Sequence, residues 1–219
     1  MELAGKKIVF LGDSITEGVG TSAKEHIYWN VIGKRTGAEV YGYGISGSRI
    51  APQRVPTVER PREDQYFASR VEEMEPDADI VVIFGGTNDF GHGDAALGTI
   101  HERTDDTFYG AYHLLLQKVF ARYPAARVLV MTPLHRLSED ETLYNERGVR
   151  RAGALSVYVR AIREVAEFYG VTVVDLYANC PIQPKVDIQR QMYMPDGLHP
   201  NDAGAALVAD CLLSVLKQL

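Results

Sequence analysis

Ile80-Val81-Val82-Ile83-Phe84-Gly85-Gly86-Thr87-Asn88-Asp89 is the stretch on which the fold turns. Its first half is unbroken apolar sequence, rich in β-branched side chains. Such a run suits a parallel strand buried on both faces. Its second half is two glycines and three polar residues whose side chains bond nearby backbone, which makes a loop. Similar apolar runs at 8–11, 39–43, 128–131 and 171–176 are the other predicted strands. Between them, apolar residues recur at helical spacing. Phe108, Tyr112, Leu115, Leu116 and Val119 form one face. Leu155, Tyr158, Val159, Ile162, Val165, Ala166 and Tyr169 form another. Val208, Cys211, Leu212 and Val215 form the last, with Cys211 on the core side. Shorter helices are predicted over 27–35 and 64–74. This alternation predicts an open, doubly wound α/β sheet with helices on both faces. Ligands in such sheets bind beyond the carboxyl ends of the strands, so the residues just after each strand carry the functional reading.

The 219 residues are 46% hydrophobic and 24% charged, enough apolar surface for a sizeable core, and 1–219 reads as a single domain. No apolar run approaches the ~20 residues that a membrane-spanning helix needs. The N-terminus, Met1-Glu2-Leu3-Ala4-Gly5-Lys6-Lys7, lacks the long apolar stretch of a Sec signal peptide, so none is expected in the chain as given. Net charge is −6, against the basic face that nucleic-acid binding needs. Only Arg147, Arg150 and Arg151 crowd together, the pattern of a solvated helix face. Two cysteines, Cys180 and Cys211, are too few for a disulfide scaffold or a four-ligand zinc site, and a cytoplasmic location is expected. A homo-oligomer is compatible with the sequence but is not predicted.

Gly12-Asp13-Ser14-Ile15-Thr16 follows the first strand and Gly44-Ile45-Ser46-Gly47-Ser48 the second. Gly85-Gly86-Thr87-Asn88-Asp89 follows the third, and Asp196-Gly197-Leu198-His199-Pro200 precedes the last helix. Each is an ordinary loop taken singly. Together, gathered on one edge of the sheet, they hold every part that acyl transfer requires. Ser14 is a candidate nucleophile, and a hydroxyl needs a neighbouring base to take its proton. His199 suits that task, since imidazole has an ordinary pKa of about 6.5. Asp196, three residues earlier, is close enough for one turn to bring its carboxylate to the ring and hold the tautomer. The backbone N–H groups of Ser14 and Gly47, with the side-chain amide of Asn88, are the candidate oxyanion donors.

These blocks resemble those of the SGNH (GDSL-type) ester hydrolases, named for a Ser, Gly, Asn and His in separate blocks. Gly12-Asp13-Ser14 matches the first block, Gly47 the second, Gly86-Thr87-Asn88-Asp89 the third and Asp196-Gly197-Leu198-His199 the last. They run in family order from residue 12 to residue 199. Ile15 stands where the older motif name has Leu. The resemblance implies a flavodoxin-like three-layer α/β/α sandwich with a five-stranded parallel sheet in the order 2-1-3-4-5. It also implies ester hydrolysis through a serine acyl-enzyme, with neither metal nor organic cofactor. An α/β-hydrolase is not implied, because the G-x-S-x-G elbow is absent around Ser14 and Ser46.

Other residues carry less. Asp13 and Asp89 read first as loop formers that support Ser14 and Asn88, and His92 as a substrate contact. His92, Asp94 and His101 have no recognised metal spacing. Cys180 has no activating neighbour in sequence. Gly18-Val19-Gly20 is a poor dinucleotide turn, because Ala23 stands at the third glycine position. Surface arginines are common, so Arg49, Arg54 and Arg60 are not assigned to an anionic substrate. The predicted lid segments, 52–64, 90–106, 134–151 and 179–194, are polar and charged. That favours a short acyl group, such as acetate on a sugar or other polar alcohol. The alternatives are a thioesterase or lysophospholipase for longer chains, and a non-catalytic flavodoxin-like binding module.

Overall fold

The computed structural model describes residues 2–140, 144, 148 and 152–219. Its sheet has strands β1 (Lys7–Gly12), β2 (Glu39–Gly44), β3 (Ile80–Phe84), β4 (Arg127–Met131) and β5 (Thr172–Val174). All pairs are parallel and the order is β2-β1-β3-β4-β5. Phe84 pairs with Gly12 and with Met131, so the carboxyl ends of these strands share one edge.

Side chains alternate along a strand, and here both faces are covered. Val9, Leu11, Val81, Ile83, Val128 and Val130 face a core shared with α4 (Phe108–Arg122) and α5 (Leu155–Tyr169). Ile8, Phe10, Ile80, Val82, Phe84, Leu129 and Met131 face the opposite core, shared with α2 (Tyr28–Thr36) and α8 (Asp202–Leu216). The result is the α/β/α sandwich. The remaining helices are short: α1 (Ser14–Glu17), α3 (Thr87–His92), α6 (Leu176–Asn179) and α7 (Asp187–Tyr193). Among the described residues no helix is long and apolar enough to cross a membrane.

Some elements differ from expectation. The helix predicted over 64–74 is instead a series of short 3₁₀ turns, Pro61–Asp64, Phe67–Ser69 and Val71–Glu73. Tertiary bonds hold the chain there: Phe67 N–H donates to Arg49 O at 3.0 Å, and the Arg70 guanidinium reaches the ends of β1 and β2. Phe67, Ala68, Val71 and Met74 are buried, so the apolar spacing marks the buried side but not the helix type. The last strand stops at Val174, because Asp175 caps α6 through Ala178 N–H and pairs with Arg163. Cys211 is only partly buried against its core. Arg147, Arg150 and Arg151 lie outside the described residues, as does much of 141–151.

Candidate active site

Asp13 turns the chain sharply out of β1. Its carboxylate accepts the Ile15 N–H at 3.0 Å and caps α1, which leaves Ser14 at the first helical position. A helix start leaves its first backbone N–H groups without partners in the helix, so the Ser14 N–H is a donor placed by the fold. His199 comes from a turn before α8 that is built on Asp196. One carboxylate oxygen accepts the N–H groups of Leu198 and His199 at 2.9 and 2.7 Å. The other lies 2.6 Å from His199 Nδ1. Partial burial pulls the Asp196 pKa up, but these hydrogen bonds outweigh it and hold the carboxyl below its ordinary range. An ionised carboxylate only accepts, so Nδ1 carries the ring proton. His199 Nε2 then presents its lone pair to Ser14 Oγ, 3.0 Å away.

Gly47 has φ +76°, which an L side chain rarely adopts. A Cβ there would also lie 2.5 Å from Glu63 Cδ. Asn88 sits in the first turn of α3. Its Nδ2 donates to Ser48 O at 2.9 Å, which orients the amide and ties the second loop to the third. That amide has a second N–H to offer. Ser14, Gly47, Asn88 and His199 line one cleft of about 180 Å³, with Ser46, Arg60, Glu63, His92, Arg136 and Leu198.

The family model for GDSL-like lipases and acylhydrolases matches residues 10–207. The chain belongs to the GDSL-like lipase/acylhydrolase family. One solved structure is 32% identical, with TM-score 0.84, covering 100% of this chain and 99% of its own. A Lactobacillus plantarum protein is 30% identical, with TM-score 0.81 and 98% of each chain covered. An acetyl xylan esterase, AlAXEase, is 27% identical, with TM-score 0.62, over 95% of this chain and 98% of its own. A comparison with curated protein sequences found no match.

Within this GDSL-like hydrolase, the other expected residues lie behind the cleft or on its wall. Asp13 is buried, and burial above all, with the Asp89 charge adding to it, pushes its carboxyl up to about 7. Asp89 is also buried and is pushed up to about 6 by burial, against the hydrogen bonds it accepts. Those bonds come from Ile50 and Ala51 N–H at 3.0 and 2.9 Å, so Asp89 holds the loop that carries Gly47. His92 lies on the cleft wall.

Three arginines were missed by sequence reasoning or assigned otherwise. Arg49 is not a surface residue: its side chain is 1% exposed and held by Gly47 O, Glu63 O, Asp64 and His92. Arg70 is buried and donates to Gly12 O, Tyr43 O and Ser48 Oγ. Burial lowers its pKa to about 10, which leaves it charged at neutral pH. Arg136 is buried at the cleft, donates to Thr87 O and lies over the Phe90 ring. Lone arginines carry no spacing signal that would single them out. Arg54 bonds the Asp106 carbonyl away from the cleft, whereas Arg60 lines it.

Cys180 is buried beside Cys211. Their hydrogen bond, then burial, hold its thiol above the ordinary range, the opposite of activation. Of the predicted lid segments, 52–64, 90–106 and 134–151 contribute to the cleft wall, and among the described residues 179–194 does not. Among the described residues no cluster of three or more His, Cys, Asp or Glu is arranged to hold a metal ion.

Proposed function

We propose that the chain is a single-domain serine ester hydrolase working through an acyl-enzyme. Its substrates are short-acyl, acetyl-type esters of a carbohydrate or other polar alcohol. The observation that carries this reading is the hydrogen-bonded series Ser14 Oγ, His199, Asp196 at the edge of a cleft that Gly47 and Asn88 also line. Ser14 Oγ attacks the ester carbonyl while His199 Nε2 takes its proton. Asp196 holds the ring and stabilises the imidazolium. The N–H groups of Ser14 and Gly47 and the Asn88 amide receive the charge on the carbonyl oxygen. His199 then protonates the departing alcohol, and afterwards activates the water that frees the acid.

The walls support a small acyl group. Among the described lining residues, Leu198 is the one large apolar side chain in the cleft. The recess beside it, where Ile15, Phe84, Leu134 and Leu198 meet Asp13, Thr87, His135 and Arg136, holds about 10 Å³, roughly one water. Among the described residues, that recess is too small for a long acyl chain. The likeness to an acetyl xylan esterase supports the same substrate class. A cytoplasmic setting belongs to this reading, since two cysteines do not make a disulfide scaffold.

A series of p-nitrophenyl esters from acetate to palmitate, run on wild type and Ser14→Ala, tests this. Turnover is expected to be greatest on acetate and to fall with chain length. Ser14→Ala is expected to lower it by about 10⁴-fold or more. A maximum at long chains would overturn the acyl assignment, and undiminished turnover in Ser14→Ala would overturn the nucleophile.

A further inference from the structure

Asn88 and His92 stand one helical turn apart on α3, and both line the cleft. Arg49 lies behind His92, with Nη1 3.0 Å from His92 Nδ1. A guanidinium only donates, so Nδ1 is the acceptor and the ring proton is on Nε2. The same guanidinium donates to the carbonyls of Gly47 and Glu63, both at 3.2 Å, and to Asp64 Oδ1 at 2.6 Å. Asp64 is itself held by the Thr57 N–H and Oγ1 at 2.6 and 2.8 Å. One buried cation therefore sets the tautomer of His92, anchors the peptide after Gly47 and braces the wall that carries Glu63. Arg60 pairs with Glu63 at 3.1 Å on the same wall.

We propose that His92 selects the alcohol half of the ester, its Nε2–H donating to a hydroxyl or ether oxygen of a polyol such as a sugar. The proposal rests on the serine esterase reading above. An acetyl group has no polar atom beyond its carboxyl oxygens. Its carbonyl oxygen belongs to Ser14, Gly47 and Asn88. A wall of His92, Arg60 and Glu63 therefore meets polar groups of the alcohol. The spacing agrees: residues one turn apart on a helix are separated by about 6 Å. That brings His92 within reach of a hydroxyl on the carbon beside the acylated one. Arg49 makes the donor specific, because a ring whose Nδ1 is already an acceptor cannot switch tautomer to offer the substrate a lone pair at Nε2.

The test compares kcat and KM on two acetates of different alcohol: p-nitrophenyl acetate, and a methyl xyloside carrying one acetyl and two free hydroxyls. The quantity read is the ratio of kcat/KM on the xyloside to kcat/KM on p-nitrophenyl acetate. His92→Leu is expected to lower this ratio about tenfold, through KM for the xyloside, as loss of one hydrogen bond to a neutral partner implies. His92→Asn, which is polar but too short to reach, should lower it similarly and serves if the leucine variant fails to fold. His92→Gln, which can accept from Arg49 and still donate, should restore the ratio to within about threefold of wild type. An unchanged ratio in His92→Leu and His92→Asn overturns the proposal, as does equal loss on both esters. Wild-type turnover of p-nitrophenyl acetate but not of the xyloside also overturns it while leaving the esterase standing. Failure of wild type on both esters refutes the esterase reading itself.

Discussion

Asp13 shows how a residue beside the candidate nucleophile, Ser14, is used for shape and not for its charge. Its carboxylate caps α1 from a fully enclosed position, next to Asp89 and within range of Arg70. Burial raises its pKa from 3.8 to about 7, so folding favours the neutral acid. The stability gained this way is fully present below the unfolded value and is lost as pH rises through the folded one. Wild type should therefore lose stability between about pH 4 and pH 7, at up to about 1.4 kcal/mol per pK unit. Asp89, raised to about 6, acts in the same direction over a narrower window. Asparagine keeps the oxygen that accepts from Ile15 N–H and cannot ionise. Asp13→Asn should thus be more stable than wild type at pH 8 by up to a few kcal/mol, and nearly equal to it at pH 4. Urea unfolding of both proteins at the two pH values checks this. A variant that is less stable than wild type at pH 8 would mean that the charged carboxylate is the favoured form.

At the scale of elements, the edge that carries the candidate site is a set of strand ends that must stay in register with one another. Gly44 permits this on one side: a Cβ there would lie 2.0 Å from the Glu17 backbone nitrogen, so α1 packs directly on the end of β2. Arg70 secures the other side by spanning Gly12 O at the end of β1, Tyr43 O in β2 and Ser48 Oγ in the following loop. Arg70→Met removes the buried donor that these three acceptors share, although Gly12 O keeps the Ile45 N–H, at a cost of about 2 kcal/mol. It should also lower kcat, because the Gly12 carbonyl lies just before Asp13 and Ser14. Lysine, a compact point charge, cannot span the three acceptors and should rescue little. Unfolding free energies and kcat of the two variants decide; unaltered stability in Arg70→Met would show that this guanidinium is dispensable. The sequence made β1, β3 and β4 legible because strands buried on both faces must be apolar throughout. It misled over 64–74, where buried residues at helical spacing belong to 3₁₀ turns held by distant partners. Arg49 and Arg70 illustrate the same limit: their roles depend on carbonyls brought near by the sheet, and no local pattern encodes that.

Across the whole molecule, parallel topology converts four distant segments into one site. Ser14 follows β1, Gly47 follows β2, Asn88 follows β3, and His199 comes from the turn that enters α8. These residues were legible because each block pairs a chemical side chain or a glycine with the end of a strand or the start of a helix. Their mutual order on one edge then follows from the fold class. The tuning of the site was not legible: the tautomer of His92, the neutral preference of Asp13 and the small recess beside Leu198 all arise from packing between segments. The central claim is that this convergence makes Ser14 a nucleophile served by His199. The most direct measurement is mass spectrometry after reaction with diethyl p-nitrophenyl phosphate, which phosphorylates activated serines. The account predicts one diethylphosphoryl group per chain, on Ser14, lost in Ser14→Ala and strongly slowed in His199→Ala. Labelling at another serine, or none on Ser14 in the wild-type protein, would contradict it.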